Sequence, residues 1–283
     1  MGSPCLVRQL SNCPDLFDLA ERFPERYPYL LENSGEASEL GRYDILFAFP
    51  GSQLVCLADG SVQLDGEPQG KEQFLHHLDA IYIQNQDKTY TSTVHGLPFC
   101  GGWFLYLGYE LVAEIEPVLN ASLHRPDLPR AMMTEILAGI VRDRHTGEDY
   151  AFACGENAAG LLEVVVNDAL MSAGNHRDIH EVTPLCTIEE EQGERYLTSV
   201  RKIKDYIREG DVFQVNLSRQ WQADCKNSVS VTDAWRRLRS SNPAPFAAWA
   251  RLDDRTTLLS SSPERLLEQR SGVVRTRPIA GTY

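Results

Sequence analysis

The chain has 283 residues, which is enough for one large domain or two smaller ones. Hydrophobic residues make up 42% and charged residues 24%, which is an ordinary globular composition. Its net charge of −13 makes nucleic acid and anionic membrane surfaces poor partners, because like charges repel. The seven cysteines contain no Cys-x-x-Cys pair, so we expect neither a disulfide framework nor a zinc site. The N-terminus lacks the apolar core of a signal peptide, and we expect a soluble, cytoplasmic protein.

The first part of the chain predicts short helices and strands in hairpins. An apolar run over 16–23 predicts a helix that Pro24 ends. Two strands are predicted on either side of Pro50-Gly51, and the turn residues at 145–147 predict a further hairpin. The predicted bounds are 71–83 for a second helix and 43–48, 53–57, 135–142 and 149–154 for strands.

The second part contains the clearest helix. Apolar residues recur at steps of four, three and four from Tyr196 to Ile207, which places them on one helix face. Gly210 follows at the position of a left-handed C-cap. Strict alternation then predicts a strand over 213–221, and Thr232 is a suitable N-cap for another helix. Further strands are predicted over 246–252, 256–261, 265–269 and 273–277.

These elements predict both a fold class and a division of the chain. Strands outnumber helices and occur in hairpins instead of βαβ order, which indicates an α+β fold with antiparallel sheets. The polar and acidic stretch over 172–192 predicts a linker. We therefore expect two domains, 1–185 and 186–283.

Four motifs in the last third of the chain occur in the order and approximate spacing of one enzyme family. They are GDVFQVNLSRQW (210–221), NPAPFAAW (242–249), SSSPERLLE (260–268) and TRPIAGT (276–282). Through them the chain resembles the chorismate-binding enzymes of the aminodeoxychorismate synthase component I and anthranilate synthase component I type. The resemblance implies two packed, mainly antiparallel sheets with flanking helices, a component I domain over 1–185 and the start of the chorismate-binding domain over 186–283.

The resemblance also implies that the chain is truncated, because it ends at Tyr283, directly after the Pro-Ile-Ala-Gly-Thr motif. Members of the family continue with a second substrate segment, a catalytic histidine and the glutamates that hold Mg²⁺. We therefore expect the Mg²⁺ ligands beyond Tyr283 and no metal ligand before it. We also expect that residues 1–283 alone neither bind chorismate productively nor convert it.

Ser262-Pro263-Glu264 alone predicts a turn whose glutamate points to solvent. The resemblance implies instead that Glu264 is a catalytic carboxylate. Chorismate must lose a ring hydroxyl, and a positioned acid lowers the barrier by protonating the leaving oxygen. We expect Glu264 to lie beside the turn over 278–282, so that both wall one side of a pocket for an anionic ring.

Ala280 occupies the position at which typical aminodeoxychorismate synthases have a nucleophilic lysine. Alanine cannot add to the ring, and anthranilate synthases, in which ammonia attacks directly, carry alanine there. By the same resemblance, Gly281 and Thr282 would bind a substrate carboxylate through backbone N–H and hydroxyl groups. An ordinary strand followed by a turn is the alternative reading of this segment.

The N-terminal half favours the other branch of the family. Anthranilate synthases usually have an uninterrupted Leu-Leu-Glu-Ser, which forms a feedback pocket for tryptophan. In this chain Asn33 separates Glu32 from Ser34. The resemblance assigns a tryptophan pocket to Ser34, Tyr43, Pro245 and Phe246. Core packing of these residues is the alternative.

Three functional hypotheses follow. The first is a synthase subunit that aminates chorismate to 4-amino-4-deoxychorismate, with Mg²⁺ holding the substrate carboxylate. A glutamine amidotransferase partner would supply ammonia, because the chain has no Gly-x-Cys-x-Gly nucleophile segment. The second makes anthranilate instead. The third is a non-catalytic module that binds tryptophan or docks the amidotransferase.

Overall fold

The computed structural model describes residues 5–35, 39–70, 73–85, 96–122, 128–172, 186–225, 229–270 and 272–279. Within them the α-helices are α1 Leu16–Arg22, α2 Phe74–Gln84, α3 Val112–Ile115, α4 Ala158–Ser172, α5 Gly193–Glu209 and α6 Val231–Ser241. Short 3₁₀ helices cover Glu39–Gly41, Tyr109–Leu111 and Pro117–Ser122. Among the described helices, none combines the length and apolar character needed to cross a bilayer.

The strands belong to one large sheet and two small ribbons. Strands β1 to β8 are Leu6–Leu10, Tyr29–Glu32, Tyr43–Cys56, Val62–Leu64, Glu67–Pro68, Gly102–Leu107, Ala131–Asp143 and Glu148–Ala153. Strands β9 to β14 are Cys186–Glu190, Trp221–Cys225, Phe246–Arg251, Thr257–Ser262, Glu268–Arg270 and Val273–Arg275. The large sheet runs β1-β8-β7-β3-β2-β11-β12, with β4 and β5 beside β3 and β6 beside β7. The ribbons are β9–β10 and β13–β14.

All strand pairs in the large sheet are antiparallel, which confirms the α+β class. The described residues form one ten-stranded sheet, whereas we expected two packed sheets. The reason lies in β3, which pairs with β7 along nearly its whole length. The two strands predicted around Pro50 are one strand with a register shift between Pro50 and Gln53, so the backbone passes through a bulge without turning back.

The two faces of β3 enter different cores, as the two-residue period of a strand requires. Leu46 and Ala48 pack into the larger cluster, together with apolar residues of α1, α4 and α6. Phe47, on the opposite face, packs with Phe104 and Phe99. The sheet is therefore covered by apolar side chains on both faces at this point.

Three aromatic rings anchor the larger core. Trp235 and Trp249 are 0% and 2% exposed, and their ring centroids lie 6.2 Å apart. Phe17 of α1 contacts Trp249 edge-on at 4.9 Å between centroids. Asp15 caps α1 by accepting a hydrogen bond from the Phe17 backbone N–H at 2.8 Å. This cap fixes the start of the helix that carries Phe17 into the core.

Contacts group the chain into two units, residues 1–177 with 235–283 and residues 178–234. Strands β11 and β12, which follow the expected boundary at 185/186, belong to the first unit because they extend the large sheet. The domain division that we expected from the linker remains a prediction.

In the second unit, α5 confirms the predicted helix. Gly210 ends it in the left-handed conformation, with φ of 84°, as expected for a C-cap. The strand predicted over 213–221 was wrong, since the ladder begins only at Trp221. Alternation alone does not make a strand. Among the described residues, the segment 213–220 pairs with no strand, and Phe213 is fully exposed.

The same unit contains a disulfide between Cys186 and Cys225. These residues face each other at one end of the β9–β10 ladder. We expected no disulfide framework, and the described residues contain this one disulfide. Scattered spacing along the chain does not report which cysteines two distant strands bring together. The other five cysteines form no disulfide, namely Cys5, Cys13, Cys56, Cys100 and Cys154.

Candidate functional site

A cavity of about 600 Å³ opens in the first unit, at the end of the large sheet where β3, β2 and β11 lie side by side. In the sheet register Leu31 pairs with Ile45 of β3 and with Ala248 of β11. The apolar part of the lining consists mainly of Leu31, Leu40, Tyr43, Ile45, Pro245 and Phe246. A volume of this size suits a small organic molecule.

Three of the four residues predicted for a tryptophan pocket line this cavity, namely Tyr43, Pro245 and Phe246. Ser34 lies next to it and holds the loop that leads into β11. The Ser34 backbone N–H donates to the Ala244 carbonyl at 3.0 Å, and the Ala244 N–H donates to Ser34 Oγ at 2.9 Å. The structure therefore brings the four positions together, while their role in binding tryptophan remains a prediction.

Asn33, the residue that interrupts the Leu-Leu-Glu-Ser pattern, is fully buried and organises the loop beside the cavity. Its backbone N–H donates to Asp44 Oδ1 at 2.8 Å, and its side-chain amide donates to the Gly41 carbonyl at 2.9 Å. Its Oδ1 accepts from the Gly35 N–H at 2.9 Å. Since a buried amide is costly without such partners, Asn33 is a fixed part of this loop.

Glu32 is a buried carboxylate at the cavity wall, with only 4% of its surface exposed. Burial raises its pKa to about 7, against the opposing effect of Arg239. Arg239 Nε lies 2.7 Å from Glu32 Oε1, yet in the described part of the chain this oxygen has no well-oriented hydrogen bond. Arg239 also pairs with Asp15 at 3.0 Å. Glu32 Oε1 is therefore enclosed by protein and lies against Arg239.

The rim of the cavity is basic, although the chain as a whole is acidic. Its arginines are Arg42, Arg265, Arg270 and Arg275. Two of them are neutralised locally. Arg42 pairs with Asp143 at 2.6 Å, and Arg265 pairs with Glu268 at 2.7 Å. Within the described residues, Arg270 and Arg275 have no carboxylate partner, so they favour a ligand that carries an anionic group.

Sequence reasoning did not select Glu32 or the rim arginines. For Glu32 a signal existed, because the two-residue period of β2 places it on the same face as Leu30, which is fully buried. A carboxylate on a buried strand face is unusual and marks a site worth inspection. The arginines gave no comparable signal, since they come together only through the fold.

Glu264 lies apart from the lining of this cavity and is exposed. Ser262 holds the turn, because its Oγ accepts from the Glu264 N–H at 3.3 Å and donates to the Glu264 carbonyl at 2.9 Å. Glu264 Oε1 accepts a hydrogen bond from the Ile279 backbone N–H at 3.2 Å. The carboxylate therefore touches the turn that precedes Ala280. Ala280, Gly281 and Thr282 lie outside the described residues.

No group of three or more histidine, cysteine, aspartate or glutamate side chains in the described ranges is arranged to hold a metal ion. The expectation that ligands lie beyond Tyr283 remains a prediction.

Comparison with known proteins agrees with the motif order. Residues 28–283 match the family model described as chorismate binding enzyme. Anthranilate synthase component 1 of Bacillus pumilus is 28% identical over 93% of this chain and 55% of its own length. Aminodeoxychorismate synthase component 1 of Klebsiella aerogenes is 29% identical over 89% of this chain and 54% of its own. The chain thus spans about half the length of these relatives.

A solved structure has the same fold. Anthranilate synthase component I from Streptococcus pneumoniae superposes with a TM-score of 0.60 at 20% sequence identity. The match covers 85% of this chain and 54% of that protein. At this level of identity the likeness concerns the fold and leaves the reaction open.

Proposed function

Because this chain belongs to the chorismate-binding enzyme family, we propose that it forms one part of a synthase that aminates chorismate with ammonia. The proposed product is 4-amino-4-deoxychorismate, on the route to p-aminobenzoate and folate. Ammonia would come from a glutamine amidotransferase subunit, and Mg²⁺ would bind through residues outside this chain.

The hydrogen bond between Glu264 and the Ile279 N–H carries this proposal. It joins the Ser-Pro-Glu motif to the Pro-Ile-Ala-Gly-Thr motif. The two motifs are separate in sequence, and both belong to the four through which the chain resembles the family. In the proposed mechanism Glu264 protonates the ring hydroxyl as it leaves, so that the leaving group departs as water. The backbone N–H at 279 orients the carboxylate, and Gly281 and Thr282 hold a substrate carboxylate. Mg²⁺, when bound, would supply charge neutralisation at that carboxylate.

The choice of 4-amino-4-deoxychorismate as the product rests on the loop around Asn33. Its three hydrogen bonds support the view that the residue separating Glu32 from Ser34 is built into the site. That interruption resembles the aminodeoxychorismate branch. Anthranilate is the second candidate, and Ala280 favours it, because without a lysine the ring must be attacked by ammonia directly.

We further propose that the cavity beside Glu32 binds tryptophan. Its apolar walls suit an indole, and Arg270 and Arg275 at the rim would pair with the carboxylate. Calorimetric titration of the chain with tryptophan tests this proposal. Arg270→Gln should weaken binding on the order of 10-fold, the value of a charge-assisted hydrogen bond. Equal affinity in both proteins would contradict this role of Arg270.

Chorismate turnover by the natural full-length protein tests the enzyme proposal. The protein is incubated with chorismate, ammonium and Mg²⁺, and the products are separated by chromatography. Appearance of 4-amino-4-deoxychorismate supports the first candidate and anthranilate the second. Absence of both products, in a protein that still binds tryptophan, would favour the non-catalytic module.

The role of Glu264 is tested separately by Glu264→Gln, with Glu156→Gln as the matched control. Both side chains are exposed, so neither change should affect folding. Loss of a general acid should lower kcat by about 10²- to 10⁴-fold, whereas the control should keep full activity. A Glu264→Gln enzyme with unchanged kcat would remove Glu264 from the mechanism.

A further inference from the structure

The second unit contains a small ribbon whose strands are joined covalently. Strands β9 and β10 pair over five residues, and Cys186 faces Cys225 at one end of the ladder. The disulfide closes a loop with a sequence separation of 39 residues, which includes α5 and the motif over 210–221. A two-stranded ribbon is only marginally stable by itself. The disulfide therefore helps to hold β9 and β10 together, and with them the end of the motif over 210–221.

Both cysteines lie in a largely exposed ribbon. Cys186 and Cys225 are half-buried, while every other residue of β9 and β10 is exposed. A small thiol can therefore approach the disulfide without prior unfolding. Buried structural disulfides lack this access, and exposed ones are more often the labile or regulatory kind.

The other cysteines indicate a reversible bond. Five cysteines form no disulfide, and Cys56, Cys100 and Cys154 among them are buried. Burial raises the pKa of Cys56 to about 11 and that of Cys154 to about 12, which leaves both thiols unreactive. A chain that keeps many thiols is typical of a reducing compartment, where a disulfide is usually transient or redox-sensing.

We propose that Cys186 and Cys225 form a thiol–disulfide switch that responds to a small-molecule thiol couple of the glutathione type. In oxidation, one cysteine thiolate attacks the small disulfide and releases one thiol. The second cysteine thiolate then attacks the mixed disulfide, forms the Cys186–Cys225 bond and releases the second thiol. The protein loses two protons and two electrons, and the small disulfide gains both. Reduction reverses these steps and frees the β9–β10 ribbon.

The switch does not depend on the proposed amination of chorismate, and its test uses no activity. The chain is equilibrated with reduced and oxidised glutathione at a series of ratios and quenched in acid. Differential alkylation with peptide mass spectrometry then reports each cysteine separately. Residue mapping is needed because Cys5 Sγ also lies 3.3 Å from the Cys100 carbonyl oxygen, so a second thiol pair is close in space.

We expect Cys186 and Cys225 to convert together, with a dependence on the square of the reduced glutathione concentration. Cys13, a half-buried free thiol, is the control and should form no intramolecular disulfide. Three results would overturn the switch. These are free thiols at both positions under the most oxidising ratio, glutathione adducts without the Cys186–Cys225 bond, or a bond that persists in millimolar dithiothreitol.

Hydrogen exchange measures the structural consequence. Amides of β9 and β10 should exchange on the order of 100-fold faster in the reduced chain. Without the disulfide the two strands can separate, because no covalent bond closes the loop between them. The double variant Cys186→Ser/Cys225→Ser should match the reduced chain under both conditions, and Cys13→Ser should behave as the unaltered protein. Equal exchange in the oxidised and reduced chains would show that the disulfide controls nothing in the ribbon.

Discussion

We expect the unaltered chain to lose stability as the pH rises from about 4.5 to 7, because Glu32 must give up a proton that the folded state holds. The Glu32→Gln variant should not show this loss. Burial raises the pKa of Glu32 from 4.5 to about 7 in the folded protein. A raised carboxyl pKa means that the folded state binds the proton more tightly than the unfolded state. The stability from this proton is therefore fully present below pH 4.5 and is lost as the pH rises through about 7.

The size of the effect follows from the pKa difference. The gap between 4.5 and about 7, at about 1.4 kcal/mol per pKa unit, amounts to about 3 kcal/mol. Glu32 is 4% exposed, so solvent screening reduces this figure little. Glutamine keeps the shape of the side chain and cannot ionise, and Arg239 retains its partner Asp15 in the variant.

Urea unfolding at pH 4.5 to 8, followed by tryptophan fluorescence, measures the effect. Trp235 and Trp249 report on the core directly, because both are buried. The difference in unfolding free energy between Glu32→Gln and the unaltered chain should grow with pH and level off above 7. Glu67→Gln, a change at an exposed glutamate, should show a flat difference. If the Glu32→Gln difference is also flat, burial does not disfavour the Glu32 carboxylate as we infer.

Three further predictions concern stability and use the same unfolding assay. Trp249→Ala should cost about 3–5 kcal/mol, because it leaves a cavity beside Phe17, and a cost below 1 kcal/mol would contradict the core assignment. Asn33→Ala should cost about 1–3 kcal/mol, since buried loop groups lose their partners, and an unchanged midpoint would show that the loop tolerates the loss. The hydrogen-bonded Arg42 holds the pKa of Asp143 below its usual range, so Asp143→Asn should destabilise the chain at neutral pH. This deficit should vanish as the pH falls through the lowered pKa, and a deficit independent of pH would point to packing instead.

Helix α5 and its cap show what local sequence can predict. The apolar period from Tyr196 to Ile207 and the glycine at 210 are properties of neighbouring residues, and helix hydrogen bonds are local too. The β7–β8 hairpin was predicted for the same reason, since a turn of few residues sets its pairing. The segment over 213–221 failed because a strand needs a partner that its own residues do not specify.

The candidate site was only partly predictable. Tyr43, Pro245 and Phe246 were selected by motif resemblance and surround one cavity, but nothing local connects them. Glu264 was expected beside the turn over 278–282, and its hydrogen bond to Ile279 N–H fits that expectation. Its exposure matches what the turn motif alone predicts, and the expected pocket for an anionic ring remains a prediction because Ala280, Gly281 and Thr282 lie outside the described residues.

The sequence by itself determined the family, through the order of four motifs, and those elements whose hydrogen bonds join near neighbours. The tertiary structure alone decided that Arg239 lies against Glu32 and that Cys186 meets Cys225. Each of these contacts joins residues far apart in the chain. Their energies depend on desolvation and distance, which exist only once strands from distant segments share one sheet or ribbon.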